Sequence, residues 1–105
     1  MTEVYSLIRQ AILNKDQVLA DYHGYHREMC PHVIGTKNGR EQALFYQFAG
    51  ESSSGLALAG SPANWRCIVI EDLENVTTVS GPWHSSDVHT RDQTCVGDID
   101  VEVAY

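Results

Sequence analysis

Trp65-Arg66, at the head of the apolar run Cys67-Ile68-Val69-Ile70, is the first place in this chain where a side chain is set up for chemistry. An arginine there either lays its methylenes along the strand and sends its charge to water, or points into a polar pocket. In a pocket its planar fork grips a carboxylate or phosphate. A salt bridge to Asp72 or Glu71 is the structural alternative. Tyr22, His32, Tyr46 and Trp65 would give such a pocket flat faces and hydrogen-bonding tips, or else serve as core and rim aromatics. Ser52, Ser53 and Ser54, followed by Gly55, are a second anion-binding candidate through their hydroxyls and amides, against the alternative of a solvated loop.

Two stretches carry soft metal ligands: His23, His26, Cys30 and His32, then His84, His89 and Cys95. Zinc takes such N and S donors, but the first spacing falls on strands, where alternating side chains point to opposite faces. The second matches no standard knuckle. A metal-binding protein or metal-dependent enzyme is therefore the alternative reading, and no metal, cofactor or catalytic residue is assigned. Cys30 and Cys95 have histidines nearby in sequence, yet no G-x-S-x-G, Walker or H-E-x-x-H element accompanies them, so the chain is not read as an enzyme.

The bulk properties narrow the partners. At 105 residues, 43% hydrophobic and 20% charged, the chain suits one globular domain, 1–105. Its 14 acidic residues against 7 basic ones leave a formal charge of −7, which repels polyanions and makes non-specific nucleic-acid binding unexpected. No apolar run reaches the roughly eighteen residues of a membrane span, and the N-terminus lacks the basic and apolar pattern of a secretory signal, so no membrane is expected and a cytoplasmic location is the default. Three cysteines, odd in number and widely spaced, argue against a disulfide framework, and Cys67 is expected to pack as a small hydrophobe.

The elements that would position these residues follow from periodicity. Val4, Leu7, Ile8, Ala11 and Ile12 form a helical stripe, predicting a helix over 2–14 capped by Thr2. Short strand-like runs follow, with Asn38-Gly39 as the strongest hairpin signal because both turn positions need positive φ. Pro31 should mark a bulge or an edge, and Glu71 to Asn75 reads as one helical turn between strands. Ile99, Val101 and Val103 alternate with acidic residues as in a half-solvated strand. The expected fold is mainly β with one N-terminal helix: a small antiparallel SH3-like or Sm-like barrel over about 17–80, followed by a C-terminal extension 81–105.

In the order of its motifs the chain resembles the WYL domain, a bacterial module with an SH3-like, Sm-like barrel preceded by a helix. The matching residues are Tyr22, Gly24, Arg27, Pro31, His32 and Gly35, then Trp65, Arg66, Ile70, Asp72, Leu73 and Val76; the tripeptide that names the family aligns with Gln42-Ala43-Leu44. The resemblance implies a domain that senses a small anionic ligand or nucleotide-like group in transcription regulation, with Arg27 and Arg66 lining its pocket. With so few residues ahead of the first strand, a DNA-binding partner is expected on a separate protein. A third reading is an Sm-like assembly module, forming a homo-oligomer through exposed edge strands.

Overall fold

Hydrophobic spacing at the N-terminus builds a helix, and a long-range partner decides which face it buries. In the computed structural model, which describes residues 3–51, 64–85 and 94–103, α1 runs Glu3–Asn14 and buries Tyr5, Ile8, Ala11 and Ile12. Leu7 is 38% exposed, so Tyr5 takes the place expected for Leu7, with Val4 packed at the margin. The reason is chemical: the Tyr5 ring is apolar, and its hydroxyl is satisfied by donating to Asp100 Oδ2 at 2.7 Å. The helix stops at a Schellman turn, in which the Asp16 amide donates to the Ala11 carbonyl at 2.9 Å and Lys15 stands at φ 56°. Thr2 lies outside the described residues.

Two tight hairpins set the register of the sheet. Strand β1 (Gln17–Tyr22) turns through His23 (φ 51°) and Gly24 (φ 82°) into β2 (Tyr25–Lys37), which turns through Asn38 (φ 54°) and Gly39 (φ 81°) into β3 (Arg40–Gly50). Positive φ at both positions is the signature of type I′ turns, whose twist suits antiparallel strands. The second was expected from its sequence. At Pro31 the pairing shifts, as Pro31 faces Phe45 while Val33 faces Leu44, and the extra residue is His32. A proline that cannot donate to the ladder thus sits beside a bulge.

Next come β4 (Trp65–Val69), a 3-10 turn (Ile70–Asp72), β5 (Leu73–Val79) and β6 (Asp98–Glu102). The strand order is β4-β3-β2-β1-β5, with β6 pairing the second half of β2. Because β4 and β5 lie at opposite edges yet are joined by three residues, the sheet must curl until its edges approach. The mainly antiparallel β architecture with one helix matches the expectation. Barrel closure does not, since no ladder joins β4 to β5 among the described residues and the sheet is open. α1 packs on β2, β6, β5 and β1, and the inner core runs from Ile8 and Ile12 through Val18, Met29, Ile34, Phe45 and Ile68 to Val101.

The C-terminal extension folds back onto the sheet, and here the cysteine reading is overturned. Cys67 and Cys95 form a disulfide with Cα atoms 5.5 Å apart, leaving buried Cys30 as the free thiol. Cys67 is exposed on β4 rather than packed inside, because it falls on the outer face of the edge strand. Behind the bond lies a second, smaller cluster of Val33, Leu44, Cys95 and Val96, flanked by Trp65.

Candidate functional site

Neighbouring residues on a strand face opposite ways, and this divides the candidate residues into two groups. On β4, Arg66 pairs with Phe45, a member of the inner core, whereas Trp65 pairs with Tyr46 and stacks edge-on to it at 5.1 Å. Arg66 therefore belongs to the concave inner face and Trp65 to the outer one. Arg27 and Tyr22 join Arg66; His32 and Tyr46 join Trp65. Ser53 and Ser54 lie outside the described residues.

The inner group sits where β2 begins, β3 ends and β4 begins. Arg27 is only 5% exposed, and its Cζ lies 5.1 Å from the Tyr22 ring centroid and 5.9 Å from that of Tyr25. Cation–π contact with two tyrosines partly offsets the loss of hydration. Its Nε, however, is buried with no hydrogen-bond partner, and no carboxylate pairs with Arg27 among the described residues. Gly50 (φ 89°) lets the end of β3 close onto this point: a Cβ there would overlap the His26 carbonyl oxygen and lie 2.9 Å from Arg27 Cα.

Arg66 donates from Nε to Gln47 Oε1 at 3.2 Å and from Nη1 to its neighbour's carbonyl, Trp65 O, at 3.3 Å. Gln47 is fully buried and its amide nitrogen donates to the Ala49 and Glu51 carbonyls, both at 3.0 Å, which turns its oxygen toward the arginine. Burial, and after it the positive charge of Arg66, pull Arg27 below the ordinary arginine range; burial does the same to Arg66. Two guanidinium groups within electrostatic reach favour an anion between or beside them.

The salt-bridge alternative for Arg66 named Asp72 and Glu71. Asp72 instead faces His23 at 3.6 Å, and Glu71 lines an open groove of about 410 Å³ with Asn38, Gly39, Arg40 and Glu41, at the far end of the β2–β3 hairpin. Asp21 accepts from Asn75 at 2.8 Å and meets His26 at 3.3 Å, and its carboxyl lies below the usual range, chiefly through the Asn75 bond.

The outer group is packed rather than open. Buried His32 meets Trp65 edge-on at 4.7 Å and Trp83 at 4.8 Å; its Nδ1 lies 2.9 Å from the Cys30 carbonyl and its Nε2 3.3 Å from Ser85 Oγ. His84 stacks on Phe48 at 4.2 Å, and its amide donates to Cys30 Sγ at 3.3 Å. This cluster forms no wall of the arginine site. Trp83, Phe48, Tyr25 and Gln47 were not singled out from sequence; only Tyr25 carried a signal, standing two residues before Arg27 on the same strand face.

The metal reading finds no support here. His23 lies on the first hairpin turn and stacks on Tyr22 at 3.9 Å, His26 is exposed, and Cys95 is in the disulfide. Burial raises the Cys30 thiol to about 11, against the thiolate a nucleophilic role requires. No group of three His, Cys, Asp or Glu is placed to hold a metal ion among the described residues, and His89 lies outside them. No helix among them is long and apolar enough to cross a membrane. Compared with protein-family models, with curated proteins and with solved structures, the chain matches none.

Proposed function

We propose that this chain is a non-catalytic binding module whose inner-face arginines, Arg27 and Arg66, take a small anionic ligand. The observation that carries this reading is the Arg27 Nε, buried and without a partner on a side chain only 5% exposed. Buried polar groups are almost always satisfied, and a charged one left unsatisfied is costly, so such a donor calls for an acceptor. The whole-chain charge of −7 favours a small, sterically selected anion over a polyanion. Sensing of a nucleotide-like group and regulation of transcription rest on the WYL resemblance alone.

The test is equilibrium binding of inorganic phosphate, sulfate and a simple carboxylate by calorimetry. Saturable binding to the wild type, abolished in Arg27→Met and weakened at least tenfold in Arg66→Met, supports the reading. Absence of binding by all three anions overturns it. Elemental analysis of untagged protein decides the metal alternative independently, since a stoichiometric transition metal would favour it.

A further inference from the structure

We propose that the Cys67–Cys95 disulfide is a reducible clasp: a dithiol reductant opens it and lifts residues 94–97 from the outer face, uncovering Val33, Leu44 and Trp65 while the inner core stays closed. This inference is independent of the arginine site.

Three features carry it. The two sulfur-bearing residues are unequal, with Cys67 exposed on the edge strand and Cys95 only 6% exposed, so an incoming thiolate has access at Cys67. The bond fastens a distinct cluster, because Cys95 and Val96 pack with Val33, Leu44 and Trp65, whereas Val101 and Val103 belong to the separate inner core. The polar contacts of the stretch include Gln42 Nε2 to the Cys95 carbonyl at 2.7 Å, the Gly97 amide to the Thr36 carbonyl at 3.0 Å, and Lys37 Nζ to the Thr94 carbonyl. The Lys37 bond is exposed, and a polar bond at an exposed site resists opening weakly.

The exchange balances. A thiolate of the dithiol attacks Cys67 Sγ, the Sγ–Sγ bond breaks, and Cys95 leaves as a thiolate that takes a proton from water. The second thiolate of the reductant then displaces Cys67, which is protonated in turn. Two electrons pass to the protein, and the reductant ends as a disulfide.

The test is alkylation of the wild-type chain after dithiothreitol treatment without denaturant, read by peptide mass spectrometry beside amide hydrogen exchange. Modification is expected at Cys67 and Cys95 but not at Cys30. Exchange at Gly97 should accelerate at least tenfold, with Val101, Val103 and the β2–β3 ladder unchanged, and Cys67→Ser/Cys95→Ser should reproduce that pattern without reductant. Any of four results overturns the proposal: no modification without denaturant, modification of all three cysteines with protection lost throughout, an opened bond with Gly97 exchange unchanged, or a double variant that fails to fold.

Discussion

The Tyr5 hydroxyl donates to Asp100 Oδ2 at 2.7 Å, across 95 residues of sequence, and Arg9 Nε shares the same oxygen at 3.1 Å. Asp100 reaches the helix because the β2–β6 register shifts between Ile34, facing Val101, and Gly35, facing Ile99. The resulting bulge turns the carboxylate toward α1.

A two-sided pH dependence follows. The Tyr5 hydrogen bond, with help from Arg9, holds the Asp100 carboxyl below its usual 3.8, so its contribution is present above that value and is lost as pH falls further. Burial and then the bond to Asp100 raise Tyr5 from 10.0 to about 12, so the neutral hydroxyl stabilises the fold below pH 10 and ceases to do so as pH rises toward 12. Tyr5→Phe should cost about 1 kcal/mol at neutral pH. Denaturant melts of both proteins at pH 7 and in the alkaline range check this: the difference should shrink as pH rises through that window.

Gly35 marks where β6 comes closest to β2. A Cβ there would overlap the Asp98 carbonyl oxygen and stand 2.8 Å from Val96 Cγ1, with backbone on the near side that cannot rotate away. Gly35→Ala should destabilise the fold by roughly 2–3 kcal/mol, as overpacking against a fixed neighbour does. Chemical denaturation measures the loss, and hydrogen exchange should place it first in Asp98–Glu102.

The helix stop offers the opposite sign. Lys15 holds φ 56° in the left-handed region that glycine occupies at lower cost. Lys15→Gly should therefore stabilise the chain by about 1 kcal/mol, read as a higher denaturation midpoint at unchanged slope.

What was legible beforehand was local. Asn38-Gly39 announces its turn because positive φ at two consecutive positions admits few residues, and Pro31 announces the bulge because it lacks an amide. Tyr5 could not be preferred over Leu7, since its partner lies 95 residues away. The Cys67–Cys95 bond, spanning 28 residues, depends on the tail returning across β3 and β4, which no spacing reveals. At the site, the register places Arg27 and Arg66 on one face of the sheet. The separation of Arg66 from Trp65 follows from the two-residue period alone, and the aromatic wall assigned to the arginines overlooked it. Gln47 carried no signal, because an amide in a strand reads as exposed until its register is known.

The central claim is that the unpartnered Arg27 Nε, with Arg66 beside it, takes an external anion, and thermal melts of wild type and Arg27→Met/Arg66→Met, each with and without phosphate, test it most directly. If an anion is the missing partner, phosphate raises the wild-type midpoint. The double variant then stays folded, loses no more than the roughly 1–3 kcal/mol that taking the Arg66 donor from buried Gln47 Oε1 costs, and ignores phosphate. A variant destabilised by roughly 3–5 kcal/mol, with a wild type indifferent to phosphate, would instead show the arginines balancing an internal carboxylate and contradict the account.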